Sequence, residues 1–206
     1  MTPRFTKALT LAAEAHEGQE RKGTSIPYIT HPVAVAELVA RYGGDEDQQI
    51  GALLHDVLED AGEEWAPRIA EFGDRVLSIV RACTDGTPDA ATGQKAPWRE
   101  RKEAYLAHLS ETPDDALLVS ACDKLHNIQA IHLDLTEIGT SVFDRFTASR
   151  DETLWYYRSL GGIFTMRKVA PASAICREYE QIVTVLYKTI NYKPTSVGTK
   201  LKVTRF

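Results

Sequence analysis

Cysteine is scarce in this chain, and its few copies stand far apart. Cys83, Cys122 and Cys176 form no C-x-x-C pair, which excludes a disulfide framework or a thiolate zinc site. Such usage points to a reducing compartment, and the expected location is cytoplasmic. No run of apolar residues approaches the ~20 needed to cross a bilayer. The first residues carry Arg4 and Lys7 but no long apolar stretch, so no signal peptide is expected. An excess of positive charge is missing too: 24 Lys and Arg against 29 Asp and Glu leave a net charge of −5. Nucleic-acid binding needs a basic footprint, so neither a nucleic-acid nor a membrane partner is expected. Strand-type alternation and internal repeats are also absent.

What remains is an ordinary globular composition. Of the 206 residues, 43% are hydrophobic and 26% charged, close to the average for folded domains. A chain of this size buries roughly 70% of its unfolded surface and needs no metal merely to fold. Apolar residues recur at helical spacing almost throughout. The class is all-α, a single bundle-like domain over 1–190, followed by a Thr/Lys-rich tail, 191–206, expected to be poorly tied down. Helices are expected over 5–16, 32–42, 45–60, 64–72, 74–83, 98–109, 113–134, 149–160 and 172–190. Asp45 is placed to cap the third of these and Pro32 and Pro113 to open two others. Gly161-Gly162 reads as a break, and 19–30 and 85–97 read as loops.

Four elements carry chemistry. In Ile50 to Asp60, Ile50, Leu53, Leu54, Val57 and Leu58 form one apolar stripe. His55, Asp56, Glu59 and Asp60 then share the opposite face. Such a face is usually just solvated. Here three carboxylates crowd beside one His with no neighbouring Lys or Arg, a repulsion that a bound cation would relieve. The second element, around Ala116 to Ile131, is apolar around most of its girth and is expected to be buried. Asp123 in its middle must therefore be paired, protonated or bound to metal; Lys124 is the ordinary partner. Asn127 lies one turn on, on the same face. The third element is His31, before Pro32. The fourth is Arg21-Lys22-Gly23-Thr24-Ser25, two cations, a glycine and hydroxyls that could hold phosphate oxygens.

Together His31, His55, Asp56 and Asp123 offer nitrogen and oxygen ligands without thiolate. That set suits Mn, Fe or Zn, with the hard oxygens favouring Mn or Fe. Glu59 and Asp60, one turn beyond, are placed to orient or deprotonate a water, though spacing does not divide the roles between them. Lys95, Arg99 and Arg101 could supply further cations to an anionic ligand. Equally, Arg99 and Glu103 are an i, i+4 pair on a solvated face. Trp155, Tyr156 and Tyr157 read as core rather than a stacking platform.

These residues resemble a known family. Ala15-His16, Gly18-Gln19, Arg21-Lys22-Gly23, Pro27-Tyr28-Ile29 and His31-Pro32 are similar to the opening motif of the RelA/SpoT-type hydrolase domain, a branch of the HD-domain phosphohydrolases. Ala52 to Asp60 resembles its central motifs, and Asp123-Lys124-Leu125-His126-Asn127 its closing motif. By length the chain resembles the stand-alone small alarmone hydrolases. The resemblance implies an HD-type bundle around one Mn²⁺ and hydrolysis of the 3′-pyrophosphate of ppGpp or pppGpp, giving GDP or GTP and pyrophosphate. His31, His55, Asp56 and Asp123 match the metal ligands, and Glu59 and Asp60 the catalytic acidic pair. Arg21, Lys22 and Asn127 match residues that meet the nucleotide. Many relatives carry Arg and Thr where this chain has Gln129 and Ala130, which leaves ppApp or a broader substrate range open. Other readings are an HD-type phosphatase for NADPH or another nucleotide, and a non-catalytic nucleotide sensor. A homo-oligomer and a functional pairing with an alarmone synthetase are further open expectations.

Overall fold

The computed structural model describes residues 2–86, 96–169 and 172–191. Among these the chain is helical, with no strand beyond an isolated Glu20–Pro27 bridge. The order is α1 (Pro3–Ala15), α2 (Thr30–Arg41), α3 (Glu46–Leu54), α4 (Val57–Asp60), a 3-10 turn (Glu63–Trp65), α5 (Ala66–Ala70), α6 (Asp74–Cys83), α7 (Trp98–Leu109), α8 (Asp114–Ile138), a second 3-10 segment (Gly139–Arg145), α9 (Arg150–Arg167) and α10 (Ala172–Asn191).

Local chemistry sets several of these boundaries. Asp45 caps α3 and Ser149 caps α9, each in a reciprocal capping box, with Gln48 and with Glu152. Thr2 caps α1 ahead of Pro3. Pro113, which cannot donate a backbone bond, stands just before α8, and Gly139 with φ +68 follows its end.

The core gathers around α8. This helix packs on α2, α3, α6 and α10, and every residue from Ala116 to Cys122 is buried. Ile50, Leu53 and Leu54 of α3 are wholly buried against the same core; each is worth ~1.5–3 kcal/mol relative to exposure. All three cysteines are buried and unpaired. Among the described residues no helix is long and apolar enough to cross a membrane.

The structure corrects three expectations. The helix expected over 45–60 is two, parted at His55-Asp56. The segment 64–72 is a 3-10 turn followed by α5. Helix α9 runs straight through Gly161-Gly162: a Cβ on Gly161 would make only ordinary contact with the Tyr179 ring of α10 at 3.4 Å, and Gly162 has open space, so neither glycine ends the helix. The tail beyond Asn191 lies outside the described residues.

Candidate metal centre

The break at His55-Asp56 builds the site. Asp56 takes φ −95 and ψ −5, in the sparsely used bridge region where functional residues often sit. His55 Nδ1 donates to the Ala52 carbonyl at 2.8 Å. That one bond satisfies a carbonyl at the end of α3 and sets the tautomer, leaving the Nε2 lone pair free. His55 is therefore buried, 1% exposed, not on a solvated face as the periodicity suggested.

His31 enters from the first turn of α2 and Asp123 from the middle of α8. Asp123 Oδ1 lies 3.1 Å from His31 Nε2 and 3.5 Å from His55 Nε2. Asp56 Oδ2 lies 3.0 Å from His55 Nε2 and 3.6 Å from His31 Nε2. Both Nε2 atoms are buried and make no hydrogen bond. Adjacent ligands of a six-coordinate ion at ~2.1 Å stand about 3 Å apart, so these spacings fit a divalent cation between the donors. Three of the four side chains are at most 3% exposed, whereas Asp56 keeps 17%; the cluster opens on the Asp56 side.

The charges agree. Burial works against ionising His55, but the carboxylates of Asp56 and Asp123 outweigh it and hold its pKa well above the usual value. Burial pulls His31 below its usual value. Asp123 and Asp56 stay ionised despite burial, Asp123 chiefly through Lys124 and His55, Asp56 through His55. The site thus holds two carboxylates around imidazole lone pairs, an arrangement that calls for a cation or a proton.

A second ring of residues holds the donors. Tyr28 OH donates to Asp56 Oδ2 at 2.6 Å. His31 Nδ1 and His126 Nδ1 are 2.7 Å apart. Asn127 Nδ2 donates to Asp123 Oδ1 at 2.6 Å and its Oδ1 accepts from Arg21 at 2.8 Å. Lys124 Nζ takes the other oxygen of Asp123 at 2.5 Å; the ordinary partner is present alongside the cluster. Sequence reading gave no role to Tyr28 or His126, although both lie three residues from a candidate ligand.

Arg21, Lys22, Tyr28, His126 and Asn127 also line a cavity of about 410 Å³, within the range of small-molecule sites. Ala130 and Tyr157 contribute to its wall, so Tyr157, expected in the core, also faces a ligand space. Gln129 points elsewhere and donates to Glu178 of α10 at 2.6 Å. Glu59, half-buried, and Asp60, exposed, end α4. Arg99 and Arg101 are not brought to this cavity. Arg99 pairs with Glu103 at 2.6 Å and stacks on Trp155; Arg101 pairs with buried Asp85 at 2.7 Å, which also holds Lys102. Lys95 lies outside the described residues.

Comparisons with known proteins bear on the family and the fold. A family model described as HD domain matches residues 8–154. A guanosine-3′,5′-bis(diphosphate) 3′-pyrophosphohydrolase, MESH1, of Xenopus tropicalis is 35% identical over 126 residues, 60% of this chain and 66% of that one. An enzyme of the same activity from Haemophilus influenzae is 37% identical over 127 residues, 59% of this chain but 18% of its own. The chain therefore spans just under two thirds of the first relative and a small part of the second. A solved structure, a metazoan ortholog of SpoT described as hydrolysing ppGpp, superposes with a TM-score of 0.73, covering 90% of this chain and 96% of its own at 22% identity; that likeness concerns the fold.

Proposed function

The chain belongs to the HD-domain family, and from that membership we propose that it is a metal-dependent 3′-pyrophosphohydrolase of guanosine alarmones. One observation carries the reading. Asp123 faces two orphaned imidazole nitrogens with one oxygen, and through Asn127 the same carboxylate is tied to Arg21 on the wall of a nucleotide-sized cavity. Metal ligation and ligand recognition are thus joined in one hydrogen-bonded chain.

The reaction adds water to the phosphorus attached to O3′. The P–O3′ bond breaks, pyrophosphate leaves, and O3′ takes a proton. His31, His55, Asp56 and Asp123 would hold the ion, which when bound supplies Lewis acidity at a phosphoryl oxygen and acidifies water. Mn²⁺ is the proposed ion. Glu59 and Asp60, at the end of α4 directly after the Asp56 junction, would orient and deprotonate the attacking water between them. Tyr28 and His126 keep Asp56 and His31 oriented, and Arg21 and Asn127 position the nucleoside. The setting we propose is cytoplasmic, with an alarmone synthetase as the functional counterpart.

Ala130 on the cavity wall favours a second reading, a relaxed base choice that admits ppApp, because a methyl group offers no hydrogen bond to a base edge. Metal-stripped protein given ppGpp, ppApp, NADPH and a nucleoside monophosphate, with and without Mn²⁺, separates the cases. Pyrophosphate and GDP formed only with metal are expected. Orthophosphate from NADPH or the monophosphate with ppGpp intact would move the protein to a phosphatase. Binding without turnover would make it a sensor.

A further inference from the structure

Arg145 is a cation at the cavity that no sequence motif signalled. It ends the 3-10 segment after α8, and its stem lies directly on Gly23: a Cβ there would stand 2.5 Å from Arg145 Cδ and 2.7 Å from Cγ, at a backbone φ of +73. The glycine in Arg21-Lys22-Gly23 thus meets two needs, a left-handed turn and the close approach of Arg145. Arg145 Nη1 donates to Asp134 Oδ2 of α8 at 2.6 Å, which fixes the guanidinium and leaves its other donors unspent by that bond. Lys22 lies alongside, its Nζ 6.0 Å from the ring of Phe146, the next residue.

Lys22, Asp134, Arg145 and Phe146 all line the same cavity as Asn127. Asn127 to Asp134 is two turns of α8, about 10 Å along its axis. The cavity therefore has two polar ends. One abuts the metal cluster through Asn127 and His126. The other holds two cations against one carboxylate, with Ala130 and Ile131 between them.

We propose that Arg145, with Lys22, binds the phosphates on the 5′ side of the nucleotide and so makes the enzyme selective for nucleotides phosphorylated at both ends of the ribose. The inference rests on the hydrolase reading and deepens it. A nucleotide whose 3′ group sits at the metal cluster needs a second anion site separated from the first by the sugar. A tethered guanidinium, with planar paired donors, is suited to a phosphate there.

The test compares two substrates with the same 3′-diphosphate, one carrying a 5′-diphosphate and one a 5′-hydroxyl. Arg145→Gln should raise KM for the first by about tenfold, with kcat and metal content unchanged, and leave the second unaltered. Arg145→Lys, which keeps the charge but not the paired donors, should recover only part of the loss. An equal effect on both substrates, or none on either, overturns the assignment. A wild type that cleaves neither overturns the hydrolase reading instead; calorimetry with GDP then decides on Arg145, where about tenfold weaker binding by Arg145→Gln supports it and equal binding rejects it.

Discussion

At the scale of single residues, buried charge is the informative feature. Asp123 in the middle of an apolar helix is costly unless something answers it, and in this structure Lys124, two imidazoles and Asn127 all do. Asp123→Asn should therefore lose bound Mn²⁺ and activity together, whereas Glu59→Gln should keep the metal and lose turnover by ~100-fold or more. Metal content after gel filtration, read beside initial rates, checks both; full Mn²⁺ in Asp123→Asn would remove Asp123 from the ligand set. Asp85 is a second buried carboxylate, remote from the periodic motifs, and it holds Arg101 and Lys102. Burial raises its pKa, but Lys102 and Lys124 outweigh this and bring it below the usual value. A folded pKa below the unfolded one gives stability that is present above about pH 4 and is lost as pH falls through the folded value. Asp85→Asn leaves Lys102 buried without its countercharge, at a cost of about 3 kcal/mol near neutrality. Urea unfolding at pH 7 and pH 3 should show the gap to wild type narrowing in acid; a gap independent of pH would show that the ionised carboxylate contributes nothing.

At the scale of elements, glycines separate what sequence periodicity reads from what packing decides. Gly51 lies inside α3, where a Cβ would stand 2.6 Å from Ile79 Cγ2. Gly162 lies inside α9 with open space around it. Alanine is the better helix former by ~0.5–1 kcal/mol at either place, so Gly162→Ala should stabilise by about that amount. Gly51→Ala should instead destabilise by ~1–3 kcal/mol through overpacking of α3 on α6. Paired denaturant midpoints test this, and the same sign at both sites would show that propensity outweighs packing. The same distinction explains what the sequence disclosed. The ranges 74–83 and 98–109 were legible because apolar spacing and flanking breakers agree. The run through Gly161-Gly162 was not, because a glycine inside a helix costs only ~1 kcal/mol, which the packing of Leu160 and Phe164 of α9 into the core outweighs. The division at His55-Asp56 was hidden for a related reason: the apolar stripe continues across it, and only the bond from His55 to Ala52 shows where α3 stops. Candidate ligands were legible from residue type. Tyr28, His126 and Arg145 were not, since aromatic, histidine and arginine residues in a loop or on a helix announce no partner until the fold supplies one.

At the scale of the whole molecule, the cluster joins segments far apart in sequence. His31 belongs to α2, His55 and Asp56 to the α3–α4 junction, and Asp123 to α8, and α2, α3 and α8 already pack on one another through an apolar core. The helices therefore do not wait for metal, unlike small zinc domains that fold only around their ion. A cation binding the native cluster and not the unfolded chain should add stability in proportion to its occupancy, about 2.7 kcal/mol at a hundredfold excess over Kd. For a chain of this length that is a rise in Tm of roughly 5–10 °C. Thermal melts of metal-stripped protein with and without Mn²⁺ should show this rise while the far-ultraviolet circular dichroism at 25 °C stays the same. Glu59→Gln should keep the shift, since Glu59 is not among the proposed ligands, and Asp123→Asn should lose it. Loss of helicity on chelation would mean that the metal builds the fold rather than clamps it, and an undiminished shift in Asp123→Asn would place the ion elsewhere in the molecule.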